Sequence, residues 1–179
     1  MDKYFNEIYT FITKEDNFEF AYEISEKFSE ITEKLRNEFW KKIILYCENT
    51  LDHTFKLSID ESEELIKITS TSWNFSLIIE GWNYMEEIFL EIMIDTQNRK
   101  KRKELEAIFI DEEFLNSLGF EESEEKSDKE AEMILIKELD SSHMLKKIIP
   151  SKRDFLVEKI AKIILEKIAI LKTKFELNK

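Results

Sequence analysis

Two histidines, one cysteine and two glycines are all this sequence offers to chemistry that needs imidazole, thiolate or a phosphate-cradling loop. Zinc sites want several convergent nitrogen or sulfur donors, and neither His53 nor His143 has a second His or Cys at ligand spacing. With 39 Asp and Glu in the chain, an all-carboxylate metal site stays open. Cys47 follows Leu45 and Tyr46 near the C-terminal end of an expected helix. A reactive thiolate wants a positive neighbour or a helix N-terminus, so a structural thiol is expected there. Gly81 and Gly119 cannot build a glycine-rich phosphate loop, and no Gly-x-Ser-x-Gly elbow is present. A restriction-type nuclease centre needs an Asp on one strand and a Glu-x-Lys on the next, two carboxylates for the metal and a lysine for the water. Glu80-Gly81-Trp82 and Glu91-Ile92-Met93 lack the lysine. Glu64 and Lys67, three apart, fall on opposite faces of a strand. Glu124 to Lys126 fits the pattern but lies in an acidic stretch where charge alone makes it common. The expectation is no catalytic residue, no metal and no cofactor.

Charge carries the remaining signal. The net charge is −12, which keeps a chain dissolved and favours basic partners. Residues 111–138 hold eleven acids against three lysines, and residues 1–50 eleven acids against seven bases. Such a surface can imitate nucleic-acid phosphates and occupy a basic groove on another protein; its plainer reading is a solubilising face. Glu121, Glu122, Glu124, Glu125 and Asp128 are the candidate protein-binding residues. Against this stands a run of five bases, Arg99-Lys100-Lys101-Arg102-Lys103. A closing segment, 146–179, has ten bases against four acids. Together they could form one positive patch for nucleic acid. Trp82, placed in a turn, is then the candidate stacking ring, while alternation puts Trp73 in the core. The plain reading is a solvated helix face.

The elements that would hold these residues are legible from periodicity. Tyr4, Phe5, Ile8, Tyr9, Phe11 and Ile12 share one face of a first helix over about 2–13. After a break at Lys14–Asn17, Ala21, Ile24, Phe28, Ile31, Leu35, Phe39, Ile43 and Tyr46 recur at spacings of three and four. They predict a long amphipathic helix over 18–48 whose stripe is core; if only partly covered, that stripe becomes a dimer or docking face. From His53 the period changes to two, with strands expected around Phe55–Ile59, Leu65–Ile68, Trp73–Ile79 and Ile88–Ile94. Gly81-Trp82-Asn83 marks a turn, and Glu87, Glu91 and Asp95 point outward. A basic helix, a short helix over 111–118 stopped by Gly119 and an acidic loop over 121–132 follow; 133–139 then reads as a fifth strand in preference to the start of a helix. A last helix runs over 152–175. The fold expected is α+β: a four- to five-stranded antiparallel meander covered by helices. A helical segment 1–50 packs on a sheet-and-helix part 51–179, in one domain overall. One cysteine, no leader pattern and no long apolar run point to a cytoplasmic protein without a membrane partner.

This order of features resembles a bacterial domain of unknown function found at the C-terminus of restriction-endonuclease-like proteins of the PD-D/E-x-K superfamily. The resemblance rests on Phe39-Trp40 before the meander, Leu90-Glu91-Ile92-Met93-Ile94 as its last strand, and Lys103 and Phe109 in the basic helix. Phe114-Leu115-Asn116-Ser117-Leu118-Gly119, the strand Met133–Ile136 and the closing helix from Phe155 complete it, over roughly 39–175. The family's meander carries Ile-Gly, a basic residue and another Gly; here Ile68-Thr69-Ser70-Thr71-Ser72-Trp73 has no glycine. In that family catalysis sits in a preceding nuclease domain, so no catalytic residue carries over. The resemblance implies a restriction or phage-defence setting, on the host or the phage side. The resulting expectation is a non-catalytic acidic interaction protein that binds a basic, nucleic-acid-handling protein, with homodimerisation a possibility. The alternative is a nucleic-acid-binding module using Arg99, Lys100, Arg102, Lys103 and the last helix; a third reading, an enzyme with carboxylate chemistry in a sheet-side pocket, needs two convergent carboxylates in a concave site.

Overall fold

A computed structural model describes residues 3–60, 65–82, 87–94, 96–122, 132–140 and 147–176. The chain divides into two units, Met1–Arg36 and Asn37–Lys179, and the divide falls inside a helix.

The first unit is helical. Helix α1 (Lys3–Ile12) is followed by the start of α2 (Glu15–Glu48), which passes out of the unit at Arg36. The turn between them is closed by Thr13, whose amide donates to the Tyr9 carbonyl. Asn17 Nδ2 donates to the Phe11 carbonyl at 2.9 Å. A polar residue at the entry to a helix supplies such bonds where the backbone lacks its own. Here the expectation of a core stripe fails. Phe28 is 57% exposed, Ile31 46% and Ile24 42%, and the stripe becomes buried only from Phe39 onward, in the second unit.

The second unit is α+β, as the alternation predicts. Strands β1 (Phe55–Asp60), β2 (Leu65–Ser70), β3 (Ser76–Trp82) and β4 (Glu87–Ile94) form an antiparallel meander. Beyond β4 lies β6 (Glu132–Asp140), the fifth strand read from the sequence, and on its far side β5 (Glu121–Glu122), in the order β1-β2-β3-β4-β6-β5. Two expectations shift. Glu121 and Glu122, assigned to a loop, pair with Leu135 and Ile136, because a short extended run can dock on the outer edge of a strand. Trp82, assigned to a turn, is the last residue of β3 and pairs with Glu87.

The register puts Ile66 and Ile68, Leu77 and Ile79, and Leu90 and Ile92 on one face, all fully buried. Helices cover it. Phe39, Trp40, Ile43 and Cys47 come from the last turns of α2, and Leu156, Ile160, Ile164, Ile168 and Leu171 from α5 (Pro150–Glu176). Pro150 opens α5 at a position where its missing amide costs nothing. Between them α3 (Arg99–Phe109) is capped by Asn98, whose Oδ1 accepts from the amides of Lys100 and Lys101 at 3.1 and 3.2 Å. Helix α4 (Glu112–Leu118) starts on Asp111 and ends on Gly119. At φ 63° and ψ 39° Gly119 takes the left-handed conformation that closes a helix, with its amide donating to the Leu115 and Asn116 carbonyls.

One end of this core is aromatic. Phe75 stacks on Trp73 at 4.7 Å and meets Phe109 edge-on at 5.1 Å, while Phe175 lies 4.9 Å from Phe75 and 5.5 Å from Phe109. It joins the start of β3 to α3 and to the last turn of α5.

Helices α2 and α5 lie alongside each other in the same direction. Glu38 pairs with Arg153, Lys42 with Asp154, and Asp52 just past α2 with Lys172, each at 2.5 Å. The first is the consequential pair, because the Arg153 side chain is almost completely buried. Removing Glu38 would strand that charge, so Glu38→Ala is expected to cost about 2–3 kcal/mol in urea unfolding. Lys42→Ala, at an exposed pair, is expected to change stability by less than about 1 kcal/mol. Equal costs for the two variants would refute this reading.

Cys47 is buried, and burial followed by the charge of Glu48 pushes its thiol up to about 12. It is the structural thiol the sequence predicts. Folded protein at pH 8 is expected to resist a thiol reagent and to react at full rate in denaturant. Rapid labelling of the native chain would show that this end of α2 opens readily.

Candidate functional site

The described residues offer three candidate sites. The first lies on the second face of the sheet. Cross-strand register aligns Lys67, Ile78 and Glu91 in one row on β2, β3 and β4, with Glu80 one step away along β3. Alternation puts Glu91 opposite the main core, as expected, but it is only 3% exposed and its Oε1 has no hydrogen-bond partner. Burial, and secondarily the charge of Glu80, push its carboxyl up to about 7 from an ordinary 4.5. A carboxylate in water prefers to be charged; taken out of water without a partner it holds its proton. The sequence carried a signal for this. The outward row of β3 and β4 includes Ile78, Phe89 and Met93, too apolar for a solvated face, and Ile78 and Ser76 are indeed buried. Two carboxyl groups on one face are a component of general acid–base chemistry. A Glu-x-Lys spacing cannot record this grouping, because the sheet assembles it across strands.

The second candidate is the basic helix. Arg99, Lys100, Lys101 and Lys103 are exposed on α3, and Lys100 reaches Glu104 at 3.9 Å. Arg102 departs from the rest: its Nε and Nη2 both donate to the Thr96 carbonyl at 3.3 Å, which turns the guanidinium inward. Several bases of α5 are paired with acids of the chain itself, some of them at the surface. Arg153 and Lys172 hold Glu38 and Asp52, Lys162 holds Glu158 at 2.6 Å and Lys167 holds Glu166 at 2.7 Å. Lys174 lies 4.8 Å over the Phe114 ring. The ring of Trp82 lies outside the described residues, as does its part in stacking.

The acidic candidates are the least defined. Glu124, Glu125 and Asp128 lie outside the described residues, and so does His143. Glu121 and Glu122 are placed as backbone in β5. His53 is exposed in the turn before β1. Among the described residues, no group of three or more His, Cys, Asp or Glu side chains is placed to hold a metal ion, and no helix is long and apolar enough to cross a membrane.

The third candidate is the first unit. A groove of about 510 Å³ between α1 and α2 is lined by Ile8, Phe11, Ile12, Ala21 and Ile24, with Glu7 and Ser25 beside them. Around it Phe5, Tyr9, Phe18, Phe20, Tyr22, Phe28 and Ile31 are all exposed. Single exposed hydrophobic residues are ordinary on a protein surface, but so many large ones on two short stretches of helix mark a place of contact. The spacing of three and four recorded this stripe; what it could not record is that the sheet unit buries only the part beyond Phe39.

No protein-family model, curated protein or solved structure matches the chain.

Proposed function

We propose that this chain works by binding another protein and carries out no catalysis of its own. The observation that carries the reading is the concentration of exposed large apolar side chains on Met1–Arg36, whereas the apolar residues of the unit Asn37–Lys179 are mostly buried. The net charge of −12 favours a partner with a basic surface. Glu121, Glu122, Glu124, Glu125 and Asp128 remain the proposed acidic contacts. The order of elements from Phe39 to Phe175, with its likeness to a restriction-associated domain, supports a role in restriction, phage defence or their inhibition. The test is capture from native lysate on immobilised chain at low and high salt, beside a variant with Glu121, Glu122, Glu124, Glu125 and Asp128 changed to Gln or Asn. A specific protein lost from the variant and released by salt is the expected result. Identical captures by both would remove the acidic segment from the reading.

A second reading rests on the exposed side of α3. If nucleic acid is the ligand, a gel shift at low salt retains the probe, and reversing Arg99, Lys100 and Lys103 to Glu abolishes retention. The commitment of the α5 bases to internal partners weighs against a wide positive patch.

A further inference from the structure

We infer that the first unit is a self-association device: two copies of the chain pair through Met1–Arg36 to form a four-helix bundle. This rests on the reading of that unit as a contact surface and names its occupant.

Three observations point to a second copy. The first is period. Ala21, Ile24, Phe28, Ile31 and Leu35 are spaced three, four, three and four, the repeat that keeps a seam facing a partner helix over its whole length. Helix α1 cannot be that partner throughout. Its ten residues span about 15 Å, whereas 22 residues of α2 within the unit span about 33 Å. The groove residues show α1 opposite Ala21 and Ile24; Phe28 and Ile31 lie further along and are exposed.

The second is size. A unit of 36 residues cannot bury enough surface by itself, and below about 40 residues oligomerisation is a usual remedy. Two helices joined by a tight turn are half of an antiparallel four-helix bundle, and a two-fold axis supplies the other half.

The third is area. Seven aromatic rings and three isoleucines of this unit are each more than two-fifths exposed. At roughly 200 Å² for a whole aromatic side chain, they present on the order of 1,000 Å² of surface per copy. A stable interface needs about 800 Å² per partner.

Charge gives the inference a distinctive signature. Residues 1–36 carry nine acids and five bases, so two copies repel weakly. Salt screens that repulsion and leaves the apolar contact intact, so association tightens as salt rises. Docking of a basic protein on the same unit would loosen instead.

The experiment is sedimentation equilibrium of the full chain at low and high salt, with the double variant Phe28→Glu, Ile31→Glu alongside. The expected result is twice the chain mass, a dissociation constant that falls with salt, and a weakening of roughly a hundredfold or more in the variant. Both positions are exposed within one copy, so the variant keeps its fold. Far-ultraviolet circular dichroism checks this, and Phe28→Ser, Ile31→Ser stands in if it does not. A chain that stays monomeric at high salt overturns the inference, as does a dimer indifferent to both variants. A monomer that binds a basic amphipathic helical peptide, more weakly as salt rises, also overturns it while leaving the proposed function standing.

Discussion

Glu91→Gln is expected to make the protein more stable at pH 8 and to flatten its stability between pH 4.5 and pH 7. In the native chain the Glu91 carboxyl holds its proton up to about pH 7, while in the unfolded chain it releases it near 4.5. Between those values the folded state binds more protons than the unfolded one, so stability falls as pH rises. At 1.36 kcal/mol for each pH unit, the loss through this group is on the order of 3 kcal/mol. It is fully developed above pH 7 and absent below 4.5. A glutamine of the same shape has no proton to lose. Urea midpoints measured across that range for both proteins give the comparison, and parallel curves would show that Glu91 is solvated or paired. Asp52 and Asp154 act in the opposite sense. Hydrogen bonds from Lys172 and from Lys42, respectively, hold their carboxyls below the ordinary value of 3.8. What they contribute is present above that value and is lost as pH falls through their folded-state values. For these three groups together the stability contribution is therefore greatest between about pH 3.8 and 4.5.

Phe109→Ala should be among the most damaging single substitutions in the helical cover, with those at Trp40 and Phe39. Phe109 is fully buried, and its ring touches Phe75 and Phe175, with Phe114 at 6.0 Å. Truncation removes the transfer free energy of a whole ring and leaves a cavity that three elements would have to move to fill. A cost of about 3–5 kcal/mol follows. The same change at Phe155, which is 77% exposed on α5, should cost less than about 0.5 kcal/mol. Chemical unfolding of the two variants separates the cases; a small cost at Phe109 would mean that the aromatic end of the core is loosely packed.

The sequence made the sheet unit readable because its two signals agree. Alternation from Phe55 and the isoleucine-rich period of the last helix each describe an element with one more deeply buried side, and that pattern occurs in β1, β2 and the last helix, while β3 is buried on both sides. Asp111 and Gly119 delimited α4 by their chemistry alone. Other features depended on what periodicity cannot carry. An apolar stripe states that a helix has a contact side but not where the contact ends, so Phe28 and Phe39 look alike in sequence and differ in burial. An outward glutamate on a strand looks solvated until the other face of the sheet is covered, which is why Glu91 was misjudged. Arg102 was grouped with its neighbours by charge, whereas helical rotation turns it toward Thr96.

The strand order at the margin of the sheet bears on how such a molecule can grow. An unpaired strand border is a template for adding a foreign strand, and polymerisation by that route is indiscriminate. Among the described residues the last strand offers Glu121 and Glu122, both acidic, and the strand inside it carries Glu132, Lys137, Glu138 and Asp140 among nine residues. A neighbouring chain approaching this margin would meet a template mostly of its own sign, whereas the opposite margin, β1, mixes Lys56 with Asp60. Strand addition between two acidic margins is thereby discouraged, which favours side-chain packing between helices, where register and copy number can be limited.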